Sequence, residues 1–181
     1  SIHEEDLWET ALFIAKISKT TSADLLHRSL ELFNNFDNQG AMALLKDEDI
    51  DKGINHSLHL IEIGNEGKAG LQAELDKYRF KIRALENEKE QDWVSKCINL
   101  SKKILDATSR AYGENSLETA LAHDYLGQKW IVRNLNESGK EFRKSLDILE
   151  ALNMCTSYFY AEVLGHMGKL CLKNGYYLLA E

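Results

Sequence analysis

The residues of this chain best suited to chemistry are two histidines and a carboxylate, His56, His59 and Glu62, spaced three apart. On a helix that spacing puts all three on one face, the edge of a conceivable metal site, because imidazole and carboxylate are both zinc ligands. Zinc needs a fourth or catalytic partner, and the sequence offers none at ligand spacing, so the histidines are read as solvated surface groups. Cys97, Cys155 and Cys171 make an odd count with no CxxC pair and no matching histidine spacing, which implies neither a disulfide framework nor a zinc site. Cys97 and Cys171 fall on apolar stripes and read as small core residues, while Cys155 falls in a loop, where exposure is expected. A cysteine nucleophile would need a histidine and an orienting group beside it, and no motif supplies them. Gly64, Gly67 and Gly70 follow no strand and meet no GxxxxGK[ST] pattern, which excludes a phosphate loop and leaves a kink or close helix packing as their reason. Trp8, Trp93 and Trp130 stand on different helices and read as core anchors rather than a base-stacking platform. The expectation is a chain with no catalytic site, no metal and no cofactor.

The elements that carry these residues are helices. The chain has 181 residues, 44% hydrophobic and 28% charged, enough for one soluble domain with a core, and it contains no proline to stop a helix. A net charge of −7 and a pI of about 5.4 argue against nucleic acid, whose phosphates are bound by lysine and arginine. Asp47, Glu48, Asp49 and Asp51, flanked by Lys46 and Lys52, read as a solvated helix start. No stretch approaches the roughly 18 to 20 apolar residues of a membrane span. The first six residues are acidic where a signal peptide would be basic, and a reducing, cytoplasmic compartment is expected.

Apolar residues recur at helical spacing along the chain. Leu7, Ala11, Leu12, Ile14 and Ile17 mark a first helix, and Ser22 caps a second whose face is Leu25, Leu26, Leu30, Leu32 and Phe33. A turn at residues 34–38 returns the chain into the short helix of residues 40–45. Residues 51–63 read as helical, a break follows at residues 64–67, and Leu71, Leu75, Tyr78, Ile82 and Leu85 then keep one face. Trp93, Cys97, Leu100, Ile104 and Ala107 continue the period to Tyr112, and this helix is expected to pair with the preceding one across the polar residues 86–90. Ser116 caps a helix running to Val132, a turn at residues 133–136 leads to Phe142, Leu146, Leu149 and Leu152, and a last helix from Tyr158 to Lys173 ends at Asn174-Gly175.

Two of these segments superpose. Ala120, Tyr125-Leu126-Gly127 and Trp130 match Ala161, His166-Met167-Gly168 and Cys171 at an offset of 41 residues. After the second copy come Asn174-Gly175-Tyr176-Tyr177 and then Ala180; after the first, Ser138 stands nearest to the place of Ala180, followed by Phe142 and Ser145. A small residue on each helix lets two backbones approach, and a large side chain one turn away fills the space beside it. Arg28-Ser29 and Leu32, followed by Asn38 and Ala41, partly repeat the arrangement.

In these residues the chain resembles the tetratricopeptide repeat family. The phrase Tyr112-Gly113-Glu114-Asn115-Ser116-Leu117-Glu118-Thr119-Ala120-Leu121-Ala122 is similar to the junctions of its longer, kinesin-light-chain-type units. The resemblance implies an all-α fold of helical hairpins stacked as a right-handed superhelix, an α-solenoid. Residues 1–181 would form one repeat domain, part of a longer array. Its units would be a first hairpin at 22–46, an irregular or extended second unit at 47–112, a third at 116–153 and a truncated fourth at 158–181. It also implies a concave face, lined by the first helix of each unit, that holds a protein or peptide. The groove residues on that face would be Leu121, Asp124, Gln128, Ile131 and Val132 in one unit, and Glu162, Gly165, Lys169 and Lys173 in the next. Asp124 and Gly165 stand where carboxylate-clamp relatives carry basic or amide groups, which argues against that specificity. The expected function is a non-catalytic scaffold or sensor. Two alternatives stay open: self-association as a homodimer, through apolar residues such as Tyr176, Tyr177, Leu178 and Leu179, and a regulatory repeat region within a larger signalling enzyme.

Overall fold

A computed structural model describes residues 45–175; the first hairpin expected at 22–46 and the residues from Tyr176 on lie outside the described residues, apart from Leu45 and Lys46. All the described elements are α-helices. The chain divides into two compact units between Glu88 and Lys89, a point inside the segment 47–112 that the sequence reading takes as one unit.

In the first unit, α1 (Asp47–Glu62) opens on Asp47, Glu48 and Asp49, whose charges suit the positive end of a helix that has no side-chain cap. Ile50, Ile54, Ser57 and Leu58 form its buried face, at helical spacing. It ends in a double-bonded reversal: the Asn65 amide donates to the Leu60 carbonyl (2.8 Å) and the Gly64 amide to that of Ile61 (3.1 Å). Gly64 takes the left-handed conformation this turn needs, with φ of 80°. The chain returns as α2 (Lys68–Glu88), which packs on α1. A Cβ on Gly67 would overlap the Ser57 carbonyl oxygen and meet Ile61 Cγ1 at 2.9 Å. At the other end, the Tyr78 hydroxyl donates to the Asp51 carboxylate and Lys81 Nζ donates to the Leu45 carbonyl (2.8 Å) and the Asp47 carboxylate. Since the start of α2 touches the end of α1 and its later turns touch the beginning, the two helices are antiparallel. Burial, and then the bond to Asp51, push the Tyr78 hydroxyl well above the usual tyrosine range, so it remains a donor.

The spacing predicts that the helix of Leu71 to Leu85 pairs with the helix that follows it; its partner among the described helices is α1, which precedes it. The polar residues 86–90 act as a boundary between units, with Lys89 and Asp92 both at positive φ (50° and 60°). The expected stripe of Leu71, Leu75, Tyr78, Ile82 and Leu85 is fully buried. A second stripe on the opposite face, Ala73, Phe80 and Ala84, is buried as well, so burial on α2 is not confined to one side as in an amphipathic cover.

In the second unit, α3 (Trp93–Tyr112), α4 (Leu117–Trp130), α5 (Leu135–Ala151) and α6 (Tyr158–Lys173) pack each on the next, and α4 also touches α6. The caps repeat. Ser116 Oγ accepts the Thr119 amide (3.1 Å) and lies 3.0 Å from the Gly113 carbonyl. Forty-one residues on, Ser157 Oγ accepts the Tyr160 amide (3.2 Å) and donates to the Met154 carbonyl (2.6 Å). Gly127 and Gly168 therefore stand at the same distance from equivalent caps. α5 starts at Leu135, inside the expected turn at 133–136, because the Asn134 side chain caps it by accepting the amides of Asn136 and Glu137 (3.0 and 3.2 Å). Its far end is closed by Asn153 at φ of 56°, with the Met154 amide on the Leu149 carbonyl (2.9 Å). α6 ends at Asn174-Gly175, as the sequence predicts.

The α4–α5 seam shows why the small residues recur. Ser138 Oγ donates to the Gly127 carbonyl and Ser145 Oγ to that of Ala120, each at 2.7 Å, with both serines buried. The later serine meets the earlier carbonyl, so these helices are antiparallel too. A Cβ on Gly127 would stand 2.7 Å from the Phe142 ring, which fills the notch one turn beyond Ser138. Around Phe142 the core gathers Ala120, Leu146, Ile148, Leu149, Val163 and Leu170, with Ile131, Leu135 and Met167 packed against it.

Candidate functional site

The residues that the resemblance assigns to a groove lie on α4, on the turn that follows it and on α6, the helices that open the two matching segments. Of the residues the resemblance places there, Val132, Glu162, Gly165, Lys169 and Lys173 are exposed, Val132 at 60%. Leu121, Gln128 and Ile131 are half-buried, and Ile131 packs on the core. Asp124 departs from the expectation of an open groove residue: it is buried, because α6 lies beside α4 and covers it.

What covers Asp124 is polar. His166 Nδ1 of α6 lies 2.8 Å from Asp124 Oδ1, and Gln128 Nε2, one turn along α4, donates to Asp124 Oδ2 (2.9 Å). The neighbouring His123 reaches the other way, its Nδ1 2.6 Å from Glu141 Oε2 on α5, and Lys144 Nζ holds the second oxygen of that carboxylate at 3.0 Å. The Phe142 ring stacks on His166, centroids 5.9 Å apart and 26° between planes. Two adjacent residues of α4 thus tie it to both later helices. Pairing the Nδ1 of each imidazole with a carboxylate fixes the ring orientation and gives a buried carboxylate a partner without which it would be costly.

Burial works to raise the Glu141 carboxyl, but the hydrogen bonds and charges of His123 and Lys144, taken together, hold its pKa below the ordinary glutamate value. A carboxyl depressed in the folded state contributes stability that is present above its unfolded pKa, about 4.3, and is lost as pH falls through the lower folded value. Glu141→Gln is therefore expected to cost about 1–3 kcal/mol at pH 7, where it removes one partner of a buried bond. Below about pH 4 the difference from the parent should shrink. Urea midpoints measured from pH 3 to 8 check this, and a gap that stays constant with pH would discard the assignment.

Sequence spacing gives no signal for the Asp124–His166 tie beyond the repeat itself, whose offset puts the two residues one unit apart on first helices. The other residues that the sequence singles out are spread out instead of converging. His56, His59 and Glu62 are exposed on α1, and among the described residues no group of three or more histidine, cysteine, aspartate or glutamate side chains is placed to hold a metal ion. Cys97 is buried and Cys155 exposed, as expected, whereas Cys171 is half-buried. Trp93 and Trp130 are half-buried rather than core anchors, and Lys102 Nζ lies 5.2 Å from the centre of the Trp130 ring. Trp8 lies outside the described residues. No helix among those described is long and apolar enough to cross a membrane.

No family model, curated protein or solved structure matches the chain. The likeness to tetratricopeptide repeats therefore rests on the chain's own repeated residues.

Proposed function

We propose that this chain is a protein-interaction module of the tetratricopeptide kind, a scaffold or sensor without catalytic activity of its own, whose helical hairpins stack as a right-handed superhelix and hold a protein or peptide segment on the concave side. What supports this reading is the 41-residue repeat of α4 and α6, with equivalent Ser116 and Ser157 caps, and the exposure of several side chains that the resemblance assigns to the groove. Leu121, Gln128, Val132, Glu162, Lys169 and Lys173 offer mixed apolar and charged contacts on helices that buried ties hold in place. Such a surface suits recognition, since a rigid support spares a ligand the entropy of ordering its site.

Val132→Glu and Lys169→Glu test it at exposed positions where folding is not at stake. Each is expected to weaken capture of a bound partner by about tenfold, as loss of one interface contact does, with the thermal midpoint unchanged. Affinity capture with mass spectrometry reads the result, and a partner list unchanged in both variants would remove the assigned groove.

A further inference from the structure

The carboxylates of Glu141 and Asp124 each accept an imidazole Nδ1, but they differ on their second oxygen. Glu141 has the cation of Lys144 there, at 3.0 Å, whereas Asp124 has the neutral amide of Gln128. The Asp124 side chain is only 9% exposed, and no lysine or arginine among the described residues lies within ion-pair distance of it. A carboxylate that far out of water gains from a cation placed beside it.

The two bonds to Asp124 also fix what its partners present on their other side. A carboxylate only accepts, so His166 Nδ1 and Gln128 Nε2 are both donors. The neutral imidazole then offers a lone pair on Nε2, and the amide offers its oxygen, Oε1. Neither atom has a partner among the described residues, and neither is buried. On α6, Glu162 stands exposed one turn before His166 and Lys169 one turn after it, while Lys129 of α4 lies over the Tyr125 ring at 4.5 Å.

We propose that this place between α4 and α6 takes the guanidinium of an arginine side chain from the bound protein or peptide, an inference that rests on the groove reading above. A guanidinium is a planar fork of N–H donors. It can give one to His166 Nε2 and another to Gln128 Oε1, while its charge offsets Asp124 behind them and Glu162 beside them. A lysine ammonium brings the same charge as a point, without the fork that spans two acceptors. An anionic group would meet two acceptors backed by a carboxylate and is turned away.

The test uses N-acetyl-arginine-N-methylamide as the probe, with its lysine analogue and its uncharged citrulline analogue. Each is titrated into the whole 181-residue chain at about pH 8, where imidazole is ordinarily neutral, and heteronuclear NMR follows the side chains of His166 and Gln128. The arginine probe is expected to move both signals with a millimolar Kd. The lysine probe should bind at least about threefold more weakly, and the citrulline probe should move neither signal. Gln128→Lys gives Asp124 a cation of its own, as Lys144 does for Glu141, and should weaken the arginine probe at least about tenfold with the thermal midpoint kept. Glu114→Gln, the same change in net charge at an exposed turn, should leave binding unchanged. An arginine titration that leaves His166 and Gln128 unmoved, that the citrulline probe matches, or that Gln128→Lys does not weaken would overturn the proposal. Loss of a captured partner in Val132→Glu without any shift from the arginine probe would overturn the site and keep the groove, so the two readings fail separately.

Discussion

Phe142→Ala will destabilise the second unit by about 3–5 kcal/mol, the cost of emptying a fully buried aromatic site. Phe142 has no exposed surface, fills the notch at Gly127 and stacks on His166, so its ring is shared by α4, α5 and α6. The cavity cannot collapse easily, because Ser138 and Ser145 hold the two backbones at fixed separation on either side. A loss of that size lowers the thermal midpoint of a unit this small by at least about 12 °C, which circular dichroism reads directly. Phe142→Leu, which keeps most of the volume, should cost less than half as much, and a loss below about 1 kcal/mol for the alanine variant would mean that the notch does not depend on the ring.

Gly67→Val should have the second largest effect, on the order of 3 kcal/mol, at the top of the range for overpacking. At Gly127 a new side chain would press on an aromatic ring, but at Gly67 it would press on the Ser57 carbonyl oxygen and on Leu60 Cβ (3.1 Å), which only a shift of α1 against α2 can relieve. Gly64→Ala is the matched control three residues earlier. It meets no atom within 4 Å but must sit at φ of 80°, and is expected to cost about 1–2 kcal/mol through backbone strain alone. Chemical denaturation of both variants separates steric from conformational cost. Equal losses would show that the close approach at Gly67 has no energetic weight.

These two glycines also mark what the sequence could and could not convey. Spacing alone predicts a helix face at Leu71, Leu75, Tyr78, Ile82 and Leu85, the caps at Ser116 and Asn174-Gly175, and a break at Gly64 to Gly67, because each depends on neighbours within one or two turns. It pairs α2 with the helix that follows, whereas among the described helices α2 packs on the preceding α1, through contacts such as Tyr78 with Asp51, 27 residues apart. It does not predict the second buried stripe of Ala73, Phe80 and Ala84, where two alanines give a weak apolar signal between charged neighbours. The ties of His123 and Asp124 are hidden for a related reason. Adjacent polar residues on a helix read as surface, and only the rotation of α4 about its own axis, set by α5 and α6, turns one toward Glu141 and the other toward His166.

The two serine hydroxyls on the α4–α5 seam have a mechanical consequence. They stand seven residues apart on α5 and meet carbonyls seven residues apart on α4, about two helical turns, so they act as paired pegs. Sliding one helix along the other by a single residue would pull both pegs from their sockets together and drive Phe142 out of its notch. No intermediate register would catch them, so a tug along the seam should release the pair in one jump, with no gradual creep.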